Sequence, residues 1–476
     1  MIVLTRREAR RLRAVLRRRT LGLARNGPAP PVTLQAAPTG GLLVRLHFDH
    51  LAVECLLEGD GRADGSVMIP MEALADFEGR DESPVTLESP SPGRSTAHWD
   101  DRGVPQSREY AVPDVAKQAF PEVPADLVER PPGLLEALSE AAQTAGERSA
   151  RHALDCILLR GSTSEVIATD GRQVLVQGGF GLPWDDDLLV RAVPLFASKA
   201  LPRDAPVAIG RTGSHVVLRA GAWTLHPAIQ ADARFPHVEH AVPDPGSAST
   251  RLAIDPGDAA FLAAAIDRLP GGDDPHAPAT LDCNGRVAVR ARASGGGPTT
   301  ELVLARSRCA GEPVRLHTNR EYLARALRLG FDEVRLFGPD APALCRDGLR
   351  SFAWQPLSKE SAIGPSDDAV VVEPAGADRT EKRRSAPLTC EPAPAPVPEP
   401  APEGSAGVAS ALQEAEALHR ALADARSRTG RLIAALRRDR RRSRLVASTL
   451  RSIKEPRLHE IAGGSPGSTD QLIHRF

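Results

Sequence analysis

The chain has 476 residues, enough for two to four domains of ordinary size. No run of 18 apolar residues occurs, and a basic segment follows the first few residues, so we expect neither a membrane span nor a secretion signal. The formal net charge of −1 conceals an acidic body and a basic tail, because residues 420–457 carry 13 Lys and Arg against 3 Asp and Glu. These features predict a cytoplasmic protein with no membrane partner.

A short apolar run followed by a helix-start signal recurs six times. The predicted helices begin near Thr5, Pro70, Pro131, Pro194, Asp255 and Thr318, at separations of 65, 61, 63, 61 and 63 residues. The strand-like runs before them are 2–5, 66–70, 127–131, 188–194, 252–256 and 314–318. Two or three further strand-like runs follow each helix. The period predicts one strand-helix-meander unit copied six times, in either a stacked or a closed assembly.

Tryptophans add a second period of about twice the first. Trp99, Trp223 and Trp354 lie 124 and 131 residues apart, and each is predicted to lie on the strand that closes a hairpin. The six units therefore pair into three domains, with boundaries in segments rich in proline and small residues, at 1–124, 125–247 and 248–357. The predicted fold class is α+β, with three tandem domains of two β-α-β-β(β) units each.

The residues after 357 have a different composition. Residues 358–407 are rich in Pro, Ala, Glu and Ser and are predicted to be a disordered linker. Apolar residues then recur in steps of three and four, which predicts a basic amphipathic helix over 408–453 that pairs as a coiled coil. Its arginine-rich run, 437–444, suits phosphate contact, although a merely solvated helix is nearly as well supported. Residues 454–476 are predicted to be a flexible tail.

No catalytic motif is found along the chain. The sequence lacks a phosphate-binding loop, zinc-ligand spacing, a nucleophile elbow and a His-Glu-x-x-His motif. The acidic clusters at 185–187 and 273–274 have no His or Cys nearby, which favours solvated loops over metal sites. The six cysteines form no Cys-x-x-Cys pair and are expected to be reduced and mostly buried. We expect a protein that is not an enzyme and has no metal or cofactor.

Residues 166–176 place apolar runs on both sides of Asp170-Gly171, the sequence signal of a β-hairpin. The motif Ala168-Thr169-Asp170-Gly171 followed by a basic residue, with Phe235-Pro236 after an Asp-x-Arg, resembles the bacterial sliding clamp family, the beta subunits of DNA polymerase III. Further similar segments are 151–156, 319–323 and 352–357. The resemblance covers residues 1–357.

What the resemblance implies agrees with the repeated unit. Family members have three similar domains, and two subunits close head to tail into a homodimeric ring with helices inside and sheets outside. A ring threaded on duplex DNA needs only weak phosphate contacts, so it can slide while it tethers a polymerase. The implied partners are duplex DNA and short peptides of polymerases, repair proteins and clamp-loader-type proteins, which dock between the second and third domains.

The family's peptide pocket maps onto residues that are mostly small or apolar, as a groove for an apolar peptide requires. They are Leu154, Thr169, Gly171, Arg172, Val174, Pro236, Ala241, Ala353, Gln355, Pro356 and Leu357. Gln173 stands where a second basic residue is usual, and Gln355 stands where an apolar residue is usual, which makes the implied pocket more polar. Ordinary packing between domains is the alternative interpretation.

The implied DNA-facing residues lie on or near the predicted helices. They are Arg6, Arg10, Arg13, Arg17, Arg25, Arg148, Lys199, Arg203, Arg320, Arg325 and Arg328. Acidic residues on the second and fifth helices weaken the summed positive field, and for any single arginine a solvated role is favoured. The leading function is a sliding clamp associated with the nucleoid.

Two further interpretations concern the C-terminal part of the chain. The alternative function is a clamp-fold paralogue that binds DNA as an accessory or nucleoid protein through its basic C-terminal helix. The last six residues, 471–476, partly resemble peptides that dock on clamps, so we also hypothesise that this terminus visits the pocket.

Overall fold

The computed structural model describes residues 1–38, 40–59, 64–112, 119–147, 149 and 151–374. The predictions for the helix at 408–453, the tail at 454–476 and Arg148 lie outside these residues, as does most of the predicted linker. The described residues belong to one compact unit. None of the helices in the described ranges is long and apolar enough to cross a membrane.

The first domain begins with a strand that leads directly into a helix. Its strands are β1 (Ile2–Thr5), β2 (Pro31–Ala36), β3 (Leu42–Phe48), β4 (Leu51–Leu57), β5 (Ser66–Pro70), β6 (Pro84–Ser91), β7 (Arg94–Asp101) and β8 (Val104–Ala111). Its helices are α1 (Arg6–Val15), α2 (Arg18–Leu21) and α3 (Leu74–Phe77). Thr5 begins α1 because its side chain accepts the Glu8 N–H while the Glu8 carboxylate accepts the Thr5 N–H.

The second domain repeats this order with a shorter second helix. Its strands are β9 (Val128–Arg130), β10 (Cys156–Arg160), β11 (Glu165–Thr169), β12 (Gln173–Gln177), β13 (Asp187–Arg191), β14 (Val207–Arg211), β15 (Val216–Ala220) and β16 (Trp223–Pro227). Its first unit contains α4 (Leu134–Thr144), and its second unit has a 3₁₀ turn at Pro194–Ala197 in the place of a helix.

The third domain has the same order and two added strands, β21 (Arg308–Gly311) at the end of its first unit and β26 (Val370–Val372) near its C-terminal end. Its strands are β17 (Thr250–Ala253), β18 (Pro278–Asp282), β19 (Ala288–Ala291), β20 (Thr300–Val303), β21 (Arg308–Gly311), β22 (Arg315–Asn319), β23 (Glu333–Leu336), β24 (Ala343–Asp347), β25 (Arg350–Trp354) and β26 (Val370–Val372). Its helices are α5 (Pro256–Ala265) and α6 (Arg320–Arg328).

The described strands form sheets that exchange strands between units and between domains. The orders are β1-β6-β7-β8, β5-β2-β3-β4-β16-β15-β14-β9, β13-β10-β11-β12-β25-β24-β23-β17-β21 and β22-β18-β19-β20-β26. In each domain the first strand of one unit therefore pairs with the meander of the other unit. The two large sheets each cross a domain boundary, which makes the three domains one continuous scaffold.

The hydrophobic core follows the same division. One cluster of buried residues joins the first two domains and includes Leu12 of α1, Leu138 of α4 and Ile209 of β14. A second cluster lies in the third domain, where Leu262 of α5 and Leu323 of α6 pack on the sheet. The apolar residues that set the helix period are thus the residues that bury the helices.

The fold class is confirmed as α+β, with three tandem domains of paired units. β1 and β5 have the predicted bounds, and Thr5 and Asp255 are N-caps as expected. The fourth predicted helix is the clearest exception, because only the 3₁₀ turn forms there. Pro202 limits any helix here to the few residues before it, since a proline disfavours helical backbone in the preceding residue and cannot continue a helix.

The three tryptophans do not lie on equivalent strands, contrary to what their spacing predicts. Trp99 lies on the second strand of its meander and pairs with Val85. Trp223 and Trp354 instead lie on β16 and β25, the third strands of their meanders and the strands that cross domain boundaries. The tryptophan spacing indicated three domains even though Trp99 lies on a second strand and the other two lie on third strands.

Residues 358–374 fall within the segment predicted to be a linker, yet they lie against the third domain. A 3₁₀ turn at Lys359–Ser361 follows Leu357, and the chain then reaches β26. β26 pairs with β20 in parallel, with Thr300 opposite Val370 and Leu302 opposite Val372. The described part of the segment is therefore ordered by long-range strand pairing, which its linker-like composition does not reveal.

Candidate peptide-docking and DNA-facing sites

The second and third domains meet along the β12–β25 pair. This ladder is antiparallel and places Gln173 opposite Trp354 and Val174 opposite Ala353. One residue beyond it, the Gln355 N–H donates to the Arg172 carbonyl at 2.8 Å. Two segments that are distant in the sequence, the Asp170-Gly171 turn and the end of β25, are therefore held side by side.

The turn itself is held by the Asp170 carboxylate. Oδ1 accepts the backbone N–H groups of Arg172 at 2.8 Å and Gln173 at 2.9 Å. Oδ2 accepts the Gln173 side-chain amide at 2.9 Å and the Tyr322 hydroxyl of α6 at 3.3 Å. Gly171 has φ +91°, a backbone conformation that favours glycine. Burial, and then the neighbouring Asp170 charge, raise the pKa of Tyr322 to about 12, so this hydroxyl stays a donor at neutral pH.

A cavity of about 300 Å³ opens where these two segments meet. Seven residues of the predicted pocket line it, namely Thr169, Gly171, Arg172, Val174, Ala241, Ala353 and Gln355. Leu154 lies next to this group, because a Cβ built on Gly171 would be 3.7 Å from Leu154 Cδ1. The structure therefore brings most of the predicted peptide site together in one concave surface.

The remaining predicted residues lie outside the cavity lining. Leu357 donates its N–H to the His317 carbonyl at 2.7 Å and lines a separate cavity of about 520 Å³ on the third domain. Pro356 precedes it and is half-buried, as is Pro236 beside Phe235. Three lining residues were missed by the sequence prediction, His240, Pro342 and Trp354. His240 and Trp354 neighbour predicted residues in sequence, whereas nothing in the sequence marks Pro342.

The two glutamines that depart from the family pattern have different surroundings. Gln173 is only 8% exposed, and its amide donates to Asp170 while its Oε1 is buried without a partner among the described residues. Gln355 is exposed, and its amide donates to the Asp340 carbonyl at 3.3 Å. Arg172 is exposed at the edge of the cavity. The cavity thus combines small apolar residues with the exposed side-chain amide of Gln355 and the Arg172 cation, a suitable arrangement for a short peptide.

Arg6 and Arg320 correct the predicted DNA-facing set. Arg6 is 9% exposed, and its guanidinium donates to the Asp100 carbonyl at 3.0 Å and pairs with Asp101 at 2.9 Å. Arg320 is 2% exposed and donates to four backbone carbonyls, those of Leu269, Pro270, Ala277 and Pro278. Both begin helices, but the Arg6 side chain folds back onto the end of β7, the Arg320 side chain folds back onto the segment before β18, and both are enclosed. Neither can contact DNA in this structure.

Four further predicted residues are engaged within the chain. Arg13 pairs with Glu78, Arg203 with Glu136 and Arg328 with Asp267. Arg325 joins the second and third domains, since its guanidinium donates to the Glu140 carbonyl at 2.6 Å and to Thr144 Oγ1 at 2.8 Å. These contacts reduce the positive charge that the helices present to a partner.

The exposed cations are fewer than the sequence predicts. Arg10, Arg25 and Lys199 are exposed and have no ion-pair partner among the described residues. Arg17 is also exposed, and its Nε donates to Thr20 Oγ1 at 3.0 Å. Lys199 and Arg203 lie beyond the 3₁₀ turn rather than on a fourth helix. Within the predicted set, these four side chains are the exposed cations without an ion pair among the described residues.

Solved structures show what this architecture is similar to. The DNA polymerase sliding clamp from Pseudomonas aeruginosa superposes with a TM-score of 0.60 at 18% identity, covering 75% of this chain and 99% of the other. The sliding clamp from Bacillus subtilis gives 0.61 at 14% identity, with 75% and 98% covered. The DNA polymerase III beta subunit from Thermotoga maritima gives 0.59 at 12% identity, with 75% and 99% covered.

Comparisons that use the sequence alone find no match. No protein-family model matches the chain, and no curated protein matches it significantly. Identities below a quarter support the fold and leave activity to be tested. The protein has the fold of the bacterial sliding clamps, the beta subunits of DNA polymerase III.

Proposed function

We propose that this protein is a non-catalytic, ring-forming sliding clamp that encircles duplex DNA as a homodimer. In this role it would raise the processivity of a polymerase and recruit polymerases, repair proteins or clamp-loader-type proteins through short peptides bound at the Asp170-Gly171 cavity. Such a protein works in the cytoplasm on nucleoid DNA. The proposal has two parts, ring closure and peptide docking, and each is tested separately.

Ring closure is supported by a rule that the strand order follows. The last strand of the first unit in one domain pairs with the last strand of the second unit in the next domain. β4 pairs with β16 at the first boundary, and β12 pairs with β25 at the second, each with five antiparallel residue pairs. Continuing the rule past the third domain calls for β20 to pair with β8 of another copy. This repetition is the observation that carries the proposal.

The β8 strand is suited to such a partner. It is eight residues long, and no strand of the described residues pairs with its outer edge. An open edge of this length exposes a row of unpaired backbone groups, which natural proteins normally cover or interrupt. Because β8 belongs to the first domain and β20 to the third, their pairing is head to tail, and such contacts form a ring when the rotation closes.

Ser107 offers a clean test of this edge. Pro105, which has no N–H, lies on β8 opposite Asp100, so its nitrogen faces away from β7. Alternate residues of a strand direct their N–H groups to the same side, so the Ser107 N–H also faces outward. Ser107→Pro removes that outward N–H and leaves the β7–β8 ladder intact. Ser107→Ala keeps both the N–H and the ladder.

The measurement is the mass of the full chain by light scattering over a range of concentrations. We expect wild type and Ser107→Ala to form dimers, and Ser107→Pro to weaken dimerisation by about tenfold or more through the lost hydrogen bond and the proline clash. Equal dimerisation by the two variants would show that β8 is not part of the interface. A monomer at all concentrations for every variant would contradict ring formation.

Peptide docking is tested by filling the cavity. Ala241 is exposed and lines the cavity, so Ala241→Trp is expected to block it without disturbing the core. Ala125→Trp places the same side chain at an exposed position elsewhere and serves as the control. With a fluorescent peptide of residues 471–476 as probe, we expect about tenfold weaker binding for Ala241→Trp only. Equal affinity for both variants would place the peptide elsewhere.

A further inference from the structure

The segment after β25 crosses the sheet β22-β18-β19-β20 from one edge to the other. The Leu357 N–H donates to the His317 carbonyl of β22 at 2.7 Å. The Ile363 N–H donates to Thr280 Oγ1 of β18 at 2.9 Å, and the Val370 N–H donates to the Thr299 carbonyl, just before β20, at 2.8 Å. These anchors fall on successive parts of the sheet. We call residues 357–372 the strap.

The strap lies on the face of this sheet that carries a buried ion cluster. Thr280 stands opposite Arg290, and Arg290 stands opposite Glu301, so the three side chains share one face. Arg290 pairs with both Asp282 and Glu301, and these side chains are at most 3% exposed. Buried charges are tolerated only when they are paired in this way. The strap therefore covers a polar sheet face whose charged side chains are paired with one another.

The end of the strap is held much less firmly. β26 contributes three residue pairs to β20, and it makes the one parallel pairing among the described strands. Val370, Val371 and Val372 are 51%, 48% and 37% exposed. Parallel pairing is slightly weaker per residue than antiparallel pairing, and half-exposed valines gain little from burial. β26 can therefore leave β20 without disrupting the core.

The surface beside β20 has the character of an interface. Residues 259–265 of α5 are all apolar, and only Leu262 among them is fully buried. Phe261, Leu302 and Val372 help to line an open cavity of about 360 Å³ there. A helix that is apolar on all sides normally has a partner on each side. At the domain 2–3 boundary the equivalent helix, α4, meets α6 through Arg325, so a helix of a second copy fits against α5.

We propose that β26 is a self-blocking strand that occupies the β20 edge needed by β8 of a second copy of this chain. The inference rests on the ring closure proposed above. Ring closure then requires the last residues of the strap to leave the sheet.

The test compares two prolines in the full chain. Val370 donates its N–H toward β20, so Val370→Pro removes that bond. The next residue directs its N–H to the opposite side, so Val371→Pro is the matched control. A competing strand that is seated about two-thirds of the time leaves each β20 edge free about one-third of the time, and a closed ring needs both edges free, so dimerisation is weakened by about tenfold. We expect Val370→Pro to tighten the dimer dissociation constant by about tenfold in sedimentation equilibrium, and Val371→Pro to leave it unchanged.

A second variant locks the strand in place. Thr300 and Val370 stand opposite each other, so Thr300→Cys with Val370→Cys allows a disulfide that holds β26 on β20. Oxidised protein should dimerise at least tenfold more weakly than the same protein after reduction. Equal dimerisation in both states would overturn the inference.

The outcomes separate this inference from the ring itself. If Val370→Pro dimerises no better than wild type while Ser107→Pro still weakens the dimer, the ring stands and self-blocking is wrong. If wild type, Val370→Pro and the reduced cysteine variant are all monomeric at every concentration, ring closure fails and the inference fails with it. Tightening by Val370→Pro alone supports both.

Discussion

The β12–β25 and β20–β26 pairs both add a distant strand to a sheet edge, yet they are secured differently. At the domain 2–3 boundary, five antiparallel pairs are reinforced by Tyr322 on Asp170 and by Arg325 on α4. At the β20 edge, three parallel pairs carry half-exposed valines. The difference indicates that an added strand is held permanently where helix side chains also hydrogen-bond across the contact. It can exchange where backbone pairing is almost the only interaction.

The largest loss of stability at the domain 2–3 boundary is expected from a substitution of Arg325. Arg325→Met removes the donors to the Glu140 carbonyl and Thr144 Oγ1 while keeping an apolar side chain. We expect the free energy of unfolding to fall by about 2–4 kcal/mol, since buried acceptors lose charged donors. Arg328→Met, on the same helix but with an exposed ion pair to Asp267, should change it by about 0.5 kcal/mol or less. Urea denaturation measures both, and equal losses would show that Arg325 has no special part in joining the domains.

Asp170 is expected to have the next largest effect. Asp170→Ala removes the acceptor for two backbone amides of the turn and for Tyr322. The expected loss is about 1–3 kcal/mol, and Asp170→Asn should lose less because it keeps one side-chain acceptor. Denaturation curves for the three proteins give the order. An alanine variant as stable as wild type would mean that the strand ladder alone holds this boundary.

Acid should weaken the domain 1–2 boundary through His226. This side chain is fully buried on β16 opposite Ala52 of β4, and burial, followed by positive charge from His215, Arg45, His47 and Arg219, lowers its pKa to about 4. The folded state therefore favours neutral histidine. Its contribution to stability is complete above the unfolded pKa of about 6.5 and is lost as pH falls toward 4.

His226→Leu tests that assignment. The variant should show a shallower loss of unfolding free energy between about pH 6.5 and 4 than wild type in urea titrations at several pH values. His226→Leu should be at least as stable at neutral pH, because both ring nitrogens are buried without a partner among the described residues. An unchanged pH slope would assign the acid sensitivity to other groups.

Val370→Pro should give the smallest change in stability. Only one backbone hydrogen bond at an edge strand is lost, so the free energy of unfolding should change by less than about 1 kcal/mol. A much larger loss would show that β26 is part of the folded core rather than an exchangeable strand. The comparison with Arg325→Met would then no longer hold.

The sequence predicted the elements that depend on local pattern. The bounds of β1 and β5, the N-caps Thr5 and Asp255, and the hairpin around Asp170 follow from hydrophobic alternation and turn chemistry, which nearby residues determine. Most of the cavity lining was also predicted, because the resemblance marked both the turn and the end of β25.

Long-range contacts were not predictable from these patterns. Arg6 and Arg320 have the sequence positions of exposed helix residues, but their partners are carbonyls and a carboxylate more than 40 residues away in the sequence. The strap has a linker-like composition, and its order depends on Thr280 and Thr299 of the sheet beneath it. Burial of polar groups by distant segments leaves no periodic signal.

Retention on DNA of different topology tests the central claim most directly. The full chain is incubated with a nicked circular plasmid, washed at high salt and assayed before and after the plasmid is cut once. A ring is expected to remain on the circle through the salt wash and to be released when the ends are created, with Ser107→Pro retained on neither form. Equal, salt-sensitive binding to circular and linear DNA would contradict the account and would indicate an accessory protein that binds through its basic C-terminal part.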